Sequence, residues 1–206
     1  MIRPQYQKSI EERIKESDYG AVYTASDFLD IASVPVVNEA MYRLVQDGQL
    51  RRIINGVYYK PKYSELLGEF VMPRIDLIAE ALARKFNWTI APAGNTALNA
   101  LHLSTQVPNI WTYVSDGPYR KYRIGQTELE FKSVKNRDIA GKHRITVMVI
   151  QALKTLGKDG VTQDIIAKLK GTLSSEDKAV ILNEAQTSTS WIFEFIREIC
   201  REEENA

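Results

Sequence analysis

The 206-residue sequence predicts an α+β fold, and three patterns predict it. Apolar residues recur at helical spacing in several stretches, as in Val37, Ala40, Met41, Leu44 and Val45. Two β-prone runs, Leu50 to Ile54 and Val57 to Lys60, flank Asn55-Gly56, a strong short-range hairpin signal. Three more β-prone runs, 110–115, 120–124 and 129–134, follow one another between helical stretches, so strands and helices segregate along the chain. Hydrophobic content of 44% and charge of 26% are those of an ordinary globular protein.

From the N-terminus, Ile10 and Ile14 mark a first helix. Thr24 or Ser26 is placed to cap a short second helix through Asp27, Phe28 and Leu29. Phe28, Leu29 and Ile31 are expected to pack on Ile10 and Ile14. The next helix carries the 37–45 stripe, and its opposite face holds Val36, Asn38, Glu39, Tyr42, Arg43 and Gln46. Pro35 suits its first turn, Ser33 its N-cap and Gly48 its stop. The hairpin follows, with a type I′ turn expected at Asn55-Gly56 because that turn needs positive φ at both positions. Arg51, Arg52, Lys60 and Lys62 sit on the hairpin with no acid between them.

A short helix, a turn, an amphipathic helix and a basic hairpin, in that order, form the sequence pattern of a winged helix-turn-helix, which places one helix in a DNA groove. The expected contacts to duplex DNA are Ser33, Val36, Asn38, Glu39, Tyr42 and Arg43 on the helix, with Arg51, Arg52, Asn55 and Lys60 on the wing. A wing tip with arginines suits phosphates or a minor groove. Glu39 and Asp47 reduce the positive face, which leaves a protein-interaction module without DNA binding as the alternative.

The division expected is a DNA-binding domain over 1–63, a connector over 62–70, and a mixed α/β domain with a helical tail over 69–206. Within the latter, Ile78, Ala81, Leu82 and Phe86 share one helix face. Residues 88–91 read as a short strand, and Gly94-Asn95-Thr96 opens a helix over 97–103, with turn and core as the simplest use of that stretch. Val149, Leu153 and Leu156, then Ile165, Ile166 and Leu169, then Ile192, Phe195, Ile196 and Ile199 mark later helices. Ser174 and Asp177 resemble a capping box. From Pro118 to Arg144 there are eight basic residues (Arg120, Lys121, Arg123, Lys132, Lys135, Arg137, Lys142, Arg144) against three acids (Glu128, Glu130, Asp138), although the net charge is only +1. That imbalance favours a polyanionic or acidic partner.

The hairpin residues Gly56-Val-Tyr-Tyr, together with Ala93-Gly-Asn-Thr-Ala-Leu-Asn-Ala-Leu-His-Leu-Ser-Thr-Gln-Val-Pro108, resemble the AbiEi-type antitoxins of abortive-infection, type IV toxin–antitoxin systems. The resemblance covers roughly residues 8 to 150. It implies a winged helix that represses its own operon at inverted repeats. It also implies a C-terminal domain that counteracts a nucleotidyltransferase toxin, functionally rather than by a stable complex. Arg120, Lys121, Arg123, Lys135 and Arg137 are the expected antitoxin surface. The resemblance transfers no catalytic residue.

The competing enzyme reading is a metal-dependent nuclease. Asp116, then Glu130-Phe-Lys132 on a strand, fit a loose Asp…Glu-x-Lys pattern in which carboxylates hold a divalent cation and the lysine orients water. Asp116-Gly-Pro is also a turn signature, and any charged strand yields Glu-x-Lys. With one cysteine, Cys200, and two histidines, His102 and His143, no metal-ligand or disulfide spacing exists. No phosphate-binding loop or dinucleotide fingerprint is present, so no cofactor is expected. Neither a membrane-spanning apolar run nor a signal peptide is found, and a cytoplasmic location is expected.

Overall fold

The computed structural model describes residues 5–135 and 138–201. The fold is α+β, and the chain divides into two compact units, residues 1–88 and 89–206. Residues 69–88 therefore group with the N-terminal unit, beyond the boundary expected near 63–69.

The N-terminal unit runs α1 (Gln5–Glu16), β1 (Val22–Tyr23), a 3-10 turn (Ala25–Phe28), α2 (Val34–Gln46), β2 (Arg51–Ile54), β3 (Val57–Tyr59), β4 (Lys62–Ser64), β5 (Glu69–Val71) and α3 (Ile75–Phe86). β1, β3 and β2 form an antiparallel sheet in that order, and β4 and β5 form a separate hairpin. Ile10, Ile14, Phe28, Val37, Met41 and Leu44 close the core. Fully burying such side chains contributes about 1.5–3 kcal/mol each.

The helix expected over 24–29 is only a 3-10 turn. Thr24 takes the expected N-cap position in a capping box, its N–H donating to Asp27 Oδ2 at 2.8 Å. Leu29, expected in the core, is 52% exposed at the C-cap of that turn. Segment 62–70, read as a connector, contains the β4–β5 hairpin, in which Tyr63 meets Phe70 edge-on at 5.2 Å. Gly48 takes φ +73° just past α2, the left-handed stop expected of it.

The C-terminal unit runs β6 (Ile90–Pro92), α4 (Gly94–Ala100), β7 (Ile110–Ser115), β8 (Arg120–Ile124), β9 (Thr127–Ser133), α5 (Arg144–Leu156), α6 (Gln163–Thr172), α7 (Ser175–Glu184) and α8 (Ser190–Cys200). Its sheet order is β6-β7-β9-β8, with β7 and β9 parallel and the other pairs antiparallel. Because strand side chains alternate between faces, the register sorts the residues. Trp111, Tyr113, Leu129, Phe131 and Tyr122 share one face. Thr112, Val114, Glu128, Glu130, Lys132, Lys121 and Arg123 share the other. Val147 of α5 packs with Ala91 and Val114 on that second face. α4 to α8 then build a helical core around Leu101, Val149, Leu153, Ile166, Leu169, Ile181, Ile192 and Ile196. The capping box forms as expected, with the Asp177 N–H donating to Ser174 Oγ at 3.1 Å and the Ser174 N–H to Asp177 Oδ2 at 3.2 Å. α4 starts three residues earlier than expected and ends at Ala100, after which His102 takes φ +57°.

Candidate nucleic-acid interface

α2 buries the stripe Val37, Ala40, Met41 and Leu44, and this points Asn38, Glu39, Tyr42, Arg43 and Gln46 to solvent. Tyr42 is a large aromatic, 63% exposed. Ser33 occupies the N-cap position, but its side chain makes no capping bond, and Val36 is half-buried. Arg43 is already engaged. It forms an i,i+4 ion pair with Glu39, and its Nη1 donates to Gln7 Oε1 of α1 at 3.2 Å. Such a surface pair is worth a few tenths of a kcal/mol, so a phosphate can displace it.

The β2–β3 hairpin carries Arg51 and Arg52, both exposed. Across the ladder they face Tyr59 and Tyr58. The Arg51 guanidinium lies 4.1 Å over the Phe70 ring, which holds it in place without neutralising it. The turn differs from the type I′ form. Only Gly56 has positive φ (+72°), and the register shifts between Arg52 and Ile54. A single left-handed glycine with a register shift closes the hairpin, so Asn55 need not leave ordinary φ space. Asn55 is exposed at the tip.

Lys60 does not join this surface. Its Nζ donates to the carbonyls of Lys15 and Ser17 at 2.7 and 2.6 Å, tying the end of α1 to the sheet. A cation at a helix C-terminus is favourable there, and it leaves Lys60 a brace rather than a contact.

Sequence reasoning missed two ties made from α3. Lys85 Nζ donates to the Asn55 carbonyl at 2.8 Å and supports the hairpin, and Arg84 Nε donates to Asp27 Oδ1 at 2.6 Å and braces the 3-10 turn. A Cβ on Gly56 would stand 2.6 Å from Lys85 Nζ. No local pattern could reveal these ties, since they join residues 30 and 57 positions apart.

The basic segment of the C-terminal unit divides differently. Lys121 opposes Glu130 and pairs with Glu128 at 2.6 Å, and Arg123 opposes Glu128. Arg120 lies on the other face of β8 from Lys121 and Arg123. Lys135 is exposed, and Arg137 lies outside the described residues. Of the residues expected as one surface, Arg120 is therefore not collected on one face with Lys121 and Arg123, because successive strand residues alternate.

Of the nuclease constellation, Glu130 and Lys132 come together, with Oε2 to Nζ at 3.5 Å. The Asp116 carboxylate accepts the Thr89 N–H at 2.9 Å, which ties it to a residue 27 positions away beside β6. Among the described residues, no three His, Cys, Asp or Glu side chains gather as a metal site. No described helix is long and apolar enough to cross a membrane.

A family described as being of unknown function, DUF6088, matches residues 9–181. The chain belongs to that family. No curated protein matches it. Among solved structures, this DUF6088 chain is similar to the RV2827C protein from Mycobacterium tuberculosis. The TM-score is 0.44 at 11% identity, over 97% of this chain and 77% of that one.

Proposed function

We propose that the N-terminal unit is a winged helix-turn-helix that binds duplex DNA, and that the protein is a cytoplasmic transcriptional regulator. The observation that carries this reading is the pairing of two exposed elements. α2 offers Asn38 and Tyr42 outward from a fully buried stripe, and the β2–β3 hairpin offers Arg51 and Arg52 opposite tyrosines rather than acids. A helix of this kind reads base edges in the major groove, and an arginine-bearing hairpin reaches phosphates or the minor groove. The resemblance to AbiEi-type antitoxins extends the proposal. In that reading the chain represses its own operon at an inverted repeat and counteracts a nucleotidyltransferase toxin without holding it in a stable complex.

Fluorescence anisotropy tests the reading with duplexes tiled across the DNA upstream of the chain's own gene. The expected result is one duplex bound well above random sequence, without added metal and with the duplex left intact. Asn38→Ala is expected to cost about 1–3 kcal/mol on that duplex and less on random DNA. Equal, salt-insensitive failure on every duplex would leave an interaction module, and metal-dependent cleavage would point to an enzyme.

A further inference from the structure

The segment 93–108 has a use beyond turn and core. Thr96, Ala97 and Leu101 are buried, but Asn95 and Gln106 line a cavity of about 560 Å³ whose other walls include Ile110, Thr112, Glu130 and Lys132. The wall is preformed. Asn99 Nδ2 donates to the Gln106 carbonyl at 3.1 Å, and the Thr112 N–H donates to Thr96 Oγ1 at 2.8 Å.

Glu130 is the informative residue. It is 8% exposed, yet charged groups surround it. Burial works to raise its carboxyl, but the Tyr119 hydroxyl and the Lys132 and Lys121 ammoniums outweigh it and hold it below the usual range. Its two oxygens are unequally served. Oε1 accepts from the Tyr119 hydroxyl at 2.9 Å. Among the described residues, Oε2 has the Thr112 hydroxyl at 3.4 Å and the Lys132 ammonium at 3.5 Å. A carboxylate has lone pairs for about four hydrogen bonds, so Oε2 retains acceptor capacity at the cavity wall. The Lys132 side chain is more than half exposed and carries further N–H donors. An acceptor and a cation thus stand side by side. Among the described residues that line the cavity Lys132 is the cation, and it draws an anionic group there.

We propose that this cavity binds a nucleotide. A ribose hydroxyl donates to Glu130 Oε2, the neighbouring phosphate pairs with Lys132, and the side-chain amides of Asn95 and Gln106 read the edge of a base lying on Ile110. The site uses neither α2 nor the β2–β3 hairpin, so it stands or falls independently of DNA binding.

Isothermal titration of the full chain with AMP, GMP, CMP and UMP tests the proposal, with ribose 5-phosphate and inorganic phosphate as controls. The expected result is saturable binding of at least one nucleotide with Kd below roughly 1 mM. Lys132→Ala and Glu130→Gln should each weaken it about tenfold or more, the loss expected for a hydrogen bond to a charged group. Cooperative thermal unfolding of the two variants, with a midpoint close to that of the unsubstituted protein, establishes that both remain folded. No saturation by any of the nucleotides overturns the proposal. So does binding indifferent to both substitutions, and ribose 5-phosphate bound as tightly as the best nucleotide overturns the assignment of ligand.

Discussion

Two hairpins of this chain are rich in basic residues, and they place them in opposite electrostatic settings. In β2–β3, Arg51 and Arg52 stand across from Tyr59 and Tyr58. In β8–β9, Lys121 and Arg123 stand across from Glu130 and Glu128. The first hairpin presents its charge to solvent, and the second uses much of its charge to hold acids in place, one of them nearly buried. Basic density along a strand therefore does not measure a basic patch. The residue one strand away decides what the charge is free to do.

The largest expected effect separates the hairpins by their salt response. Arg51→Ala with Arg52→Ala is expected to weaken duplex binding about a hundredfold near 0.1 M salt and to lower the salt slope by about two, since each lost phosphate contact removes close to one counterion. Anisotropy across a salt series reads both numbers, and an unchanged slope would take the β2–β3 hairpin out of the interface.

Charge reversal sharpens the contrast through stability. Lys121→Glu sets a third carboxylate beside Glu128 and Glu130 and is expected to lower the melting temperature clearly, because Glu130 loses a partner while nearly buried. Arg52→Glu, on an exposed position with no acid opposite, is expected to stay within about 0.5 kcal/mol. Thermal denaturation of the two variants side by side decides this, and equal shifts would erase the distinction drawn here.

Acid extends the comparison to the units that carry the hairpins. Burial works to raise the Glu184 carboxyl, but the His143 side chain and N–H, bonded to it at 2.6 and 2.9 Å, help hold it below its usual range, and Glu130 is held low by its own partners. A carboxyl depressed on folding contributes stability in full above its unfolded pKa, about 4.3. That contribution is lost as pH falls through the folded value. The depressed carboxyl of the N-terminal unit, Asp30 beside Arg13, is fully exposed, so solvent screens it. Melting curves between pH 7 and pH 3 are expected to fall steeply at the acid end, and Glu184→Gln should flatten that limb. An identical limb in the variant would show that the pair of Glu184 with His143 contributes nothing to acid sensitivity.

The smallest expected effect lies on α2. Glu39→Ala frees Arg43 from its ion pair and removes a charge that repels phosphate, so duplex affinity is expected to rise about threefold while stability shifts by no more than about 0.5 kcal/mol. Unchanged affinity would place Arg43 away from the DNA.

The elements themselves were legible where local periodicity was strong. The stripe of α2, the bounds of β7 and β8, and the caps at Ser174 and Gly48 follow from spacing and from side-chain chemistry within a few residues. Short segments read less well. The four-residue turn at Ala25–Phe28 and the β4–β5 hairpin have too few residues for a period to declare itself. The candidate interface was only partly legible. Asn38, Tyr42, Arg51 and Arg52 are exposed as the pattern requires, whereas Lys60 turns back to close α1, because two carbonyl acceptors lie within its reach 43 and 45 residues away in sequence.

The sequence by itself determined where the longer helices and strands lie and which face of each is apolar, since both depend on backbone geometry and on side chains a few positions apart. Only the tertiary structure decided what the charged residues do. Lys121 meets Glu130 through a register, Lys85 meets the β2–β3 turn from another helix, and Glu130 and Lys132 meet Asn95 across a cavity. Those meetings depend on where distant segments pack, and no local pattern encodes them.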